Sequence, residues 1–379
     1  MEMSQTSKTI NKQFNMPFCV LSALAMVMVV AGHAGYNILT IGDLFPYYSF
    51  HVPLFIFISG YFYKEEDEQH PLLYLRKKVK RLLVPYFIWN IVYGLTAAFL
   101  HRFGFALGGD FSLYNLILEP FISGYQFLYN YAGWFVPALF LIEAANLIMR
   151  LILRKVHLYY EILILAGSLL AGMTVVWLAI GGHVWGWHKM PGRLIFLYPC
   201  FQMGYFYKEK LESYDKLGNL SYFAIVLGIQ FILNLCCNGL AFSAVWCTSF
   251  ANGPIIPYVT IVTGIAFWLR VAKALAPLVR EDGAISYLGG HTYMVMMHHV
   301  MVFMGIKMML AAIAAYTPCL VDFDWVQFYG NIDYFYLIKG AETFKFVYLA
   351  AGVVVPLLIR YGWERYRYCL LQRIPKIVL

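Results

Sequence analysis

One stretch of the chain decides its fold class: Pro17-Phe-Cys-Val-Leu-Ser-Ala-Leu-Ala-Met-Val-Met-Val-Val-Ala-Gly-His-Ala-Gly-Tyr-Asn-Ile-Leu39, which contains no Asp, Glu, Lys or Arg. It is long enough to cross a bilayer as one helix. His33 lies in this stretch, where an ionisable side chain is costly unless it faces protein or water and has a use. Imidazole is also well suited to proton transfer near neutral pH. His33 is therefore the first candidate for a functional residue.

The composition excludes a soluble globular protein. Of the 379 residues, 61% are hydrophobic, 18% are aromatic and only 13% are charged, and the mean hydropathy is +0.65. Such a chain is typical of a polytopic membrane protein. Residues 1–16 are polar and lack the small-residue cleavage pattern of a secretory signal. We therefore expect the first apolar stretch to be retained as a helix.

Apolar segments of about spanning length recur along the chain and predict about ten transmembrane helices. They lie at 17–38, 51–63, 82–100, 132–149, 157–179, 194–207, 219–236, 254–269, 286–315 and 344–359. The second and the sixth segments are short and need flanking residues to span. The predicted fold is all-α, with a cytoplasmic tail at 1–16, a transmembrane domain at 17–360 and a basic cytoplasmic tail at 361–379.

The distribution of basic residues tests this topology, because Lys and Arg concentrate in cytoplasmic loops. With the N-terminus inside, all but six of the 28 basic residues fall at the inner ends of the predicted helices. The exceptions are Arg102, Lys189, Arg193, Lys307, Lys339 and Lys345. Both termini are therefore predicted to be cytoplasmic. The net charge of +8 needs no nucleic-acid partner, because clusters beside helices match anionic membrane lipids.

Several kinds of site are absent from the sequence. The seven cysteines form no Cys-x-x-Cys pair and no cluster with histidine at ligand spacing, so no metal site is expected. There is no Gly-rich phosphate loop, no nucleotide fingerprint and no Gly-x-Ser-x-Gly elbow. No internal repeat is visible.

Six sequence pieces follow one another over almost the whole chain. They are Val29-Val-Ala-Gly-His33, Phe50-His-Val-Pro-Leu-Phe-Ile-Phe-Ile-Ser-Gly-Tyr-Phe62, Lys80-Arg-Leu-Leu-Val-Pro-Tyr-Phe-Ile-Trp89, Trp134-Phe-Val-Pro-Ala-Leu-Phe140, Arg193 with Tyr198-Pro-Cys-Phe-Gln-Met-Gly-Tyr205, and Ile285-Ser-Tyr-Leu-Gly-Gly-His-Thr-Tyr-Met-Val-Met-Met-His-His299. In this order they resemble the membrane acyltransferase-3 family, in particular its standalone sugar O-acetyltransferases similar to fucose 4-O-acetylases. One position departs from the family. Many members carry an arginine separated from the first-helix histidine by ten residues, and Ser22 stands there in this chain.

The resemblance implies transfer of an acyl group, usually acetyl from acetyl-CoA, to a hydroxyl of a sugar or glycan by a multi-pass protein of the bacterial cell membrane. Because acetyl-CoA is cytoplasmic and His33 is predicted to lie in the outer half of its helix, the donor must reach inward through the bundle. Because Ser22 replaces the arginine of many family members, the donor phosphates need another cationic site. Arg76, Lys77, Lys80 and Arg81 are our candidates, with anchoring to membrane lipids as the alternative.

His33 is the candidate general base, because a neutral imidazole can remove the proton of a weakly nucleophilic hydroxyl as it attacks the thioester carbonyl. The developing oxyanion needs hydrogen-bond donors. The candidates are His51, Ser59, Tyr293, Trp134 and Arg193. An acyl-histidine intermediate is the alternative to direct transfer, and the sequence does not separate them. Each histidine also has a structural interpretation, as a helix-to-helix hydrogen bond for His33 and as a marker of the membrane interface for His51.

Three further polar residues lie within predicted helices. His298 and His299 point about 100° apart on a helix, so we expect one of them to face the interior. We favour His298 as a substrate-binding residue, because it lies two turns after His291. Glu143 is expected to be paired or water-lined, with a substrate-binding or a structural role.

Some questions stay open from the sequence. Loops at 101–131 and 316–343 are rich in Tyr, Phe, Asn and Asp, and they predict an acceptor groove or a plain lid. A transporter or exporter of a glycan or small polar molecule is the alternative function, although no inverted repeat supports it. The acyl group is expected to be acetyl, with succinyl as an alternative whose carboxylate could pair with Arg193. The acceptor hydroxyl and the oligomeric state are not identified.

Overall fold

A computed structural model describes residues 15–35, 43–184, 186–338 and 342–373. Within these ranges the chain forms thirteen α-helices and no β-strand, so the all-α prediction is confirmed. The helices are α1 (Met16–His33), α2 (His51–Tyr61), α3 (Pro71–Lys78), α4 (Val84–His101), α5 (Phe135–Lys155), α6 (Glu161–Ile180), α7 (Lys189–Phe206), α8 (Asn219–Cys236), α9 (Ile256–Leu275), α10 (Ala284–Gly290), α11 (Thr292–Tyr316), α12 (Trp325–Gly330) and α13 (Lys345–Arg373).

Eight helical segments of the described ranges are long and apolar enough to cross a membrane. They are Met16–His33, Pro71–His101, Tyr131–Lys155, Glu161–Ile180, Asn219–Cys236, Ile256–Leu278, Thr292–Tyr316 and Lys345–Leu370. The chain is therefore a multi-pass membrane protein. The two other predicted spans correspond to α2, whose 11 residues extend only about 16 Å, and to α7. The count of ten and the cytoplasmic placement of both termini stay predictions.

The short helix α2 is held inside the bundle by very close packing on α7. A Cβ atom on Gly60 would lie 1.9 Å from the carbonyl oxygen of Phe201, and one on Gly204 would lie 2.0 Å from the carbonyl oxygen of Phe57. Only glycine permits this approach of two backbones, as in the small-residue interfaces of membrane helices. The packing fixes the position of α2 and of the histidine at its start.

The predicted span at 286–315 is wrong in one respect, because the structure divides it into two helices. α10 ends at Gly290, and α11 begins after His291. A Cβ atom on Gly289 would lie 2.3 Å from the carbonyl oxygen of Cys19 in α1. The chain therefore passes very close to α1 just before it bends at His291, and the two helices do not share one continuous register.

Loops gather at the end of the bundle where α1 ends and α2 begins, which we call the histidine end. Segments 102–134, 237–255 and 317–338 lie there because the flanking helices run in alternate directions. The amide of Ala106 donates to the carbonyl of Tyr329 and so joins two of these segments, and the amide of Phe242 donates to the carbonyl of Tyr48 in the loop before α2. The loops therefore form a cap over the end that carries His33.

Candidate active site

Two cavities adjoin at the histidine end. The larger, of about 530 Å³, lies under the cap, and we call it the loop cavity. The smaller, of about 340 Å³, lies between helices, and we call it the helix cavity. Four residues line both of them: His33, His51, Val52 and Trp134. The two histidines therefore stand at the junction of the cavities.

The helix cavity is an apolar passage along α1. Its lining includes both Ser22 and His33, which lie eleven positions and hence about 16 Å apart along the helix axis. It also includes Leu82, the residue that follows Arg81 in the chain. The passage therefore extends from the histidines toward the part of the bundle that carries the basic run.

The loop cavity has a different lining, rich in aromatic rings and hydroxyl groups. Its walls include Tyr48, Tyr125, Tyr131, Trp246 and Asp333. The rings of Tyr125 and Tyr131 are stacked with centroids 5.3 Å apart. Such a surface offers flat apolar faces together with polar groups, which is the kind of surface that binds a ring bearing hydroxyl groups.

His33 is oriented by a second histidine, His299 of α11. Nδ1 of His299 lies 2.8 Å from the carbonyl oxygen of Val295, and a carbonyl only accepts, so this nitrogen carries the proton. Nε2 of His299 is then an acceptor in the neutral ring. It lies 2.6 Å from Nδ1 of His33, which must be the donor. The chain of hydrogen bonds leaves Nε2 of His33 with its lone pair, the form that a general base requires.

The position of His33 on its helix supports the same role. It lies in the last turn of α1, where the negative end of the helix dipole favours a positive charge. The ring of Tyr131 packs against it edge-on, with centroids 4.9 Å apart. The imidazolium that forms on proton uptake would therefore be stabilised both by the helix end and by His299.

His51 is placed beside His33 but does not fit the predicted role of an oxyanion donor. Its Nδ1 donates to the carbonyl oxygen of Tyr47, so Nε2 of the neutral ring is an acceptor and cannot donate. His51 is also the first residue of α2, where the positive end of the helix dipole disfavours protonation. It can instead accept a hydrogen bond from a hydroxyl at the junction.

Of the predicted donors, Tyr293 fits best. It lines the helix cavity, and its buried hydroxyl has no hydrogen-bond partner among the described residues. A buried polar group without a partner is costly, which suggests that a ligand completes it. Ser59 also lines this cavity, but its hydroxyl donates to Oε1 of Glu143 at 2.6 Å. Trp134 lies at the junction of both cavities.

Glu143 and Arg193 lie outside the lining of both cavities. Glu143 is buried and pairs with Lys78 at 2.5 Å, so it joins α5 to α3 and, through Ser59, to α2. Arg193 is fully buried, with Nε and Nη2 donating to the carbonyl of Val245 at 2.9 and 2.6 Å. Its guanidinium stacks over Trp134 at 4.5 Å. Arg193 therefore supports the wall behind Trp134, and its Nη1 has no hydrogen-bond partner among the described residues.

The structure places His299, and not the predicted His298, beside His33. His298 accepts or donates a hydrogen bond at 2.7 Å with the hydroxyl of Tyr93 and packs on Trp89, away from both cavities. The spacing of two turns between His291 and His298 does not put them on one helix face, because His291 lies in the bend before α11 and contacts Glu364. His299 is the residue that reaches His33.

The basic run lies on a continuous helix rather than in a loop. α3 and α4 are joined by a π-helical turn at Val79–Leu83 into the segment Pro71–His101. Arg76, Lys77, Lys80 and Arg81 are exposed, and no carboxylate of the described residues pairs with them. Lys78 differs, because it forms an ion pair with Glu143.

Sequence reasoning missed several residues of the site. Asp333 and the segment at 242–246 line the loop cavity, yet nothing in the sequence singled them out. The predicted acceptor groove at 101–131 and 316–343 contributes Tyr125, Leu128 and Tyr131 on one side and Ile332, Asp333 and Phe335 on the other. The aromatic richness of those loops was the one signal available.

Comparison with known proteins places the chain in a family. A family model described as an acyltransferase domain matches residues 20–361. The chain belongs to this acyltransferase-3 family, and the resemblance seen in the motifs is confirmed. No curated protein and no solved structure matches the chain. The assignment supports an acyltransferase of the membrane. The sugar O-acetylase branch stays a prediction.

Proposed function

We propose that this chain is an integral membrane O-acyltransferase that moves an acetyl group from acetyl-CoA to a hydroxyl of a sugar or cell-surface glycan, in the cell membrane of a bacterium. The observation that carries the proposal is the junction of two unlike cavities at His33 and His51. An apolar passage suits the acyl end of a donor, and an aromatic cavity with hydroxyl groups suits a sugar.

The reaction follows from the hydrogen bonds at the junction. The acceptor hydroxyl lies in the loop cavity, where Nε2 of His33 takes its proton while the oxygen attacks the thioester carbon. The carbonyl becomes an oxyanion, to which the hydroxyl of Tyr293 donates. When the carbon–sulfur bond breaks, the thiolate takes the proton back from His33. The products are the ester and free CoA, and His33 returns to its neutral form.

The donor enters by the helix cavity in this scheme. Its acyl group reaches the histidines, and its phosphates stay at the far end of the bundle. These phosphates are bound there by the exposed side chains of Arg76, Lys77, Lys80 and Arg81. No carboxylate of the described residues pairs with them, so their charges are available to the donor. The distribution of basic residues supports a cytoplasmic position for this end, where acetyl-CoA is found, and an outer position for the loop cavity.

The experiment uses the purified full-length protein in proteoliposomes. Acetyl-CoA labelled in its acetyl group is supplied with a pool of common hexoses and de-O-acetylated surface glycan. Alkali-labile label in the sugar fraction, with equal release of CoA, supports the proposal. In a parallel assay with labelled hexoses, uptake of sugar into the vesicles without ester formation would contradict it and favour the transporter. Label left on the protein after acceptor is withheld would favour an acyl-histidine intermediate.

A further inference from the structure

A single carboxylate faces the loop cavity. Asp333 is the one Asp, Glu, Lys or Arg among the described residues that line this cavity. Its Oδ1 accepts a hydrogen bond from the hydroxyl of Tyr131 at 3.2 Å. The ring of Tyr131 in turn packs against His33. One tyrosine therefore separates the carboxylate from the candidate base.

The segment that carries Asp333 is fixed by a buried cation. Lys307 of α11 is fully buried, and its Nζ donates to the carbonyl oxygen of Ile332 at 2.6 Å. The same Nζ lies 5.4 Å from the ring centroid of Phe335. The main-chain amide of Asp333 donates to Oδ1 of Asn331 at 2.9 Å. The carboxylate is thus held at the cavity wall by contacts on both sides of it in the chain.

The negative charge of Asp333 affects the pKa of two tyrosines that line the cavity. Burial and the carboxylate of Asp333 raise the pKa of Tyr48 to about 12. The same two causes raise the pKa of Tyr125 above its ordinary value. Both phenols therefore remain protonated at neutral pH and can donate hydrogen bonds.

The cavity combines neutral donors, flat rings and one negative acceptor. No Lys or Arg of the described residues lines it. Two buried cations lie behind its wall, Lys307 on the carbonyl oxygen of Ile332 at 2.6 Å and Lys189 over the ring of Trp246 at 3.4 Å.

We propose that Asp333 binds neighbouring hydroxyl groups of the acceptor, and that the acceptor is an uncharged sugar. This inference rests on the proposed function and names the substrate class of the same site. A carboxylate accepts hydrogen bonds from two adjacent hydroxyls with its two oxygens, and charge-assisted bonds of this kind are stronger than neutral ones. An acidic sugar would place its own carboxylate near Asp333, and no Lys or Arg of the described residues lines the cavity to form an ion pair with it. The aromatic walls stack on the apolar faces of the ring.

Binding is measured first, because it does not depend on catalysis. Saturation-transfer NMR is recorded on the purified protein in detergent with methyl glycosides of common hexoses, each paired with the matching uronide. We expect at least one neutral glycoside to bind more tightly than its uronide. Asp333→Asn should weaken that binding about tenfold or more. Asp324→Asn is the control, because this nearby carboxylate caps α12 by accepting from the amide of Gln327.

Three results would overturn the inference. They are tighter binding of the uronides, no binding of any neutral glycoside, and an Asp333→Asn variant that folds normally and binds like wild type. In the acetyl-transfer assay, Asp333→Asn should raise the acceptor KM and leave the donor KM unchanged. Sugar binding that needs Asp333 without any ester formation would refute the proposed reaction alone. Ester formation that is indifferent to Asp333 would refute this inference alone.

Discussion

Nδ1 of His33 lies 2.6 Å from Nε2 of His299, so two histidines on different helices form one hydrogen-bonded pair. The second ring is itself anchored to the main chain of α11 through Val295. The pair corresponds to the base and the orienting group of a catalytic triad, because His299 fixes the tautomer and the orientation of His33. In the proposed reaction His299 is therefore a positioning residue for the candidate general base His33.

His299→Ala should lower kcat by about tenfold or more while both KM values change little, because the tautomer of His33 is no longer fixed. His299→Gln should recover part of the loss, since its amide oxygen can accept from Nδ1 of His33. Steady-state acetyl transfer by the purified variants measures both effects. His298→Gln is the control, because His298 lines neither cavity, and it should retain activity. Equal losses in all three variants would contradict the positioning role.

Neutralising the basic run should weaken the binding of acetyl-CoA and leave kcat nearly unchanged. The double variants Arg76→Gln with Lys77→Gln, and Lys80→Gln with Arg81→Gln, should raise the KM for acetyl-CoA several-fold. Contacts to remote phosphates are made equally in the ground state and the transition state, so kcat should change little.

The control for this prediction lies on α13, where Arg365 and Arg367 are exposed at the same end of the bundle. Replacing both by Gln should not change the donor KM. If every double variant of the basic run keeps the wild-type donor KM, the run serves only to anchor the protein to anionic lipids.

The packing of α2 on α7 predicts a stability effect. Gly60→Ala should lower the free energy of unfolding by about 1–3 kcal/mol or more, because the new methyl group would overlap the main chain of Phe201. Gly228→Ala is the matched control, since a Cβ at that position of α8 has no heavy atom within 4 Å. Detergent melting curves compare the two variants. Equal melting temperatures would contradict the close helix contact.

Topology is tested by labelling in intact cells. Asp43 and Glu66 are both exposed and lie at opposite ends of α2. In a background with the exposed Cys236, Cys319 and Cys369 replaced by Ser, Asp43→Cys should react with an impermeant maleimide and Glu66→Cys should not. The reverse pattern would place the histidine end in the cytoplasm, and an exported glycan would then be a poor acceptor.

The helices could be predicted from the sequence because a bilayer requires long apolar segments, which leave a clear signal. Apolar length is a poor guide for a helix that is surrounded by protein instead of lipid. α2 is short and buried against α7 through Gly60 and Gly204, so length alone does not show whether it spans. The break before α11 falls at Gly289-Gly290-His291, where Gly289 packs against the main chain of Cys19 in α1, and the apolar pattern runs on across it.

The site was only partly predictable. His33 could be found because an ionisable group in an apolar helix is rare and has a cause. His299 could not be separated from His298, because the register of α11 depends on the bend at His291. The loop at 316–343 was predicted to contribute to a groove or lid, but Asp333 could not be singled out within it, since an aspartate in a loop is ordinary until the fold places it in a cavity.

The central claim is that His33 takes the proton of the acceptor hydroxyl, and one measurement tests it most directly. The rate of acetyl transfer from labelled acetyl-CoA is compared between wild type and His33→Ala, with melting temperatures measured on the same samples and His33→Gln as a second variant. Loss of a general base predicts a rate lower by about 10²–10⁴ with a nearly unchanged melting temperature. Wild-type activity in either folded variant would contradict the claim, and a loss of activity that only follows a loss of folding would make His33 a structural residue.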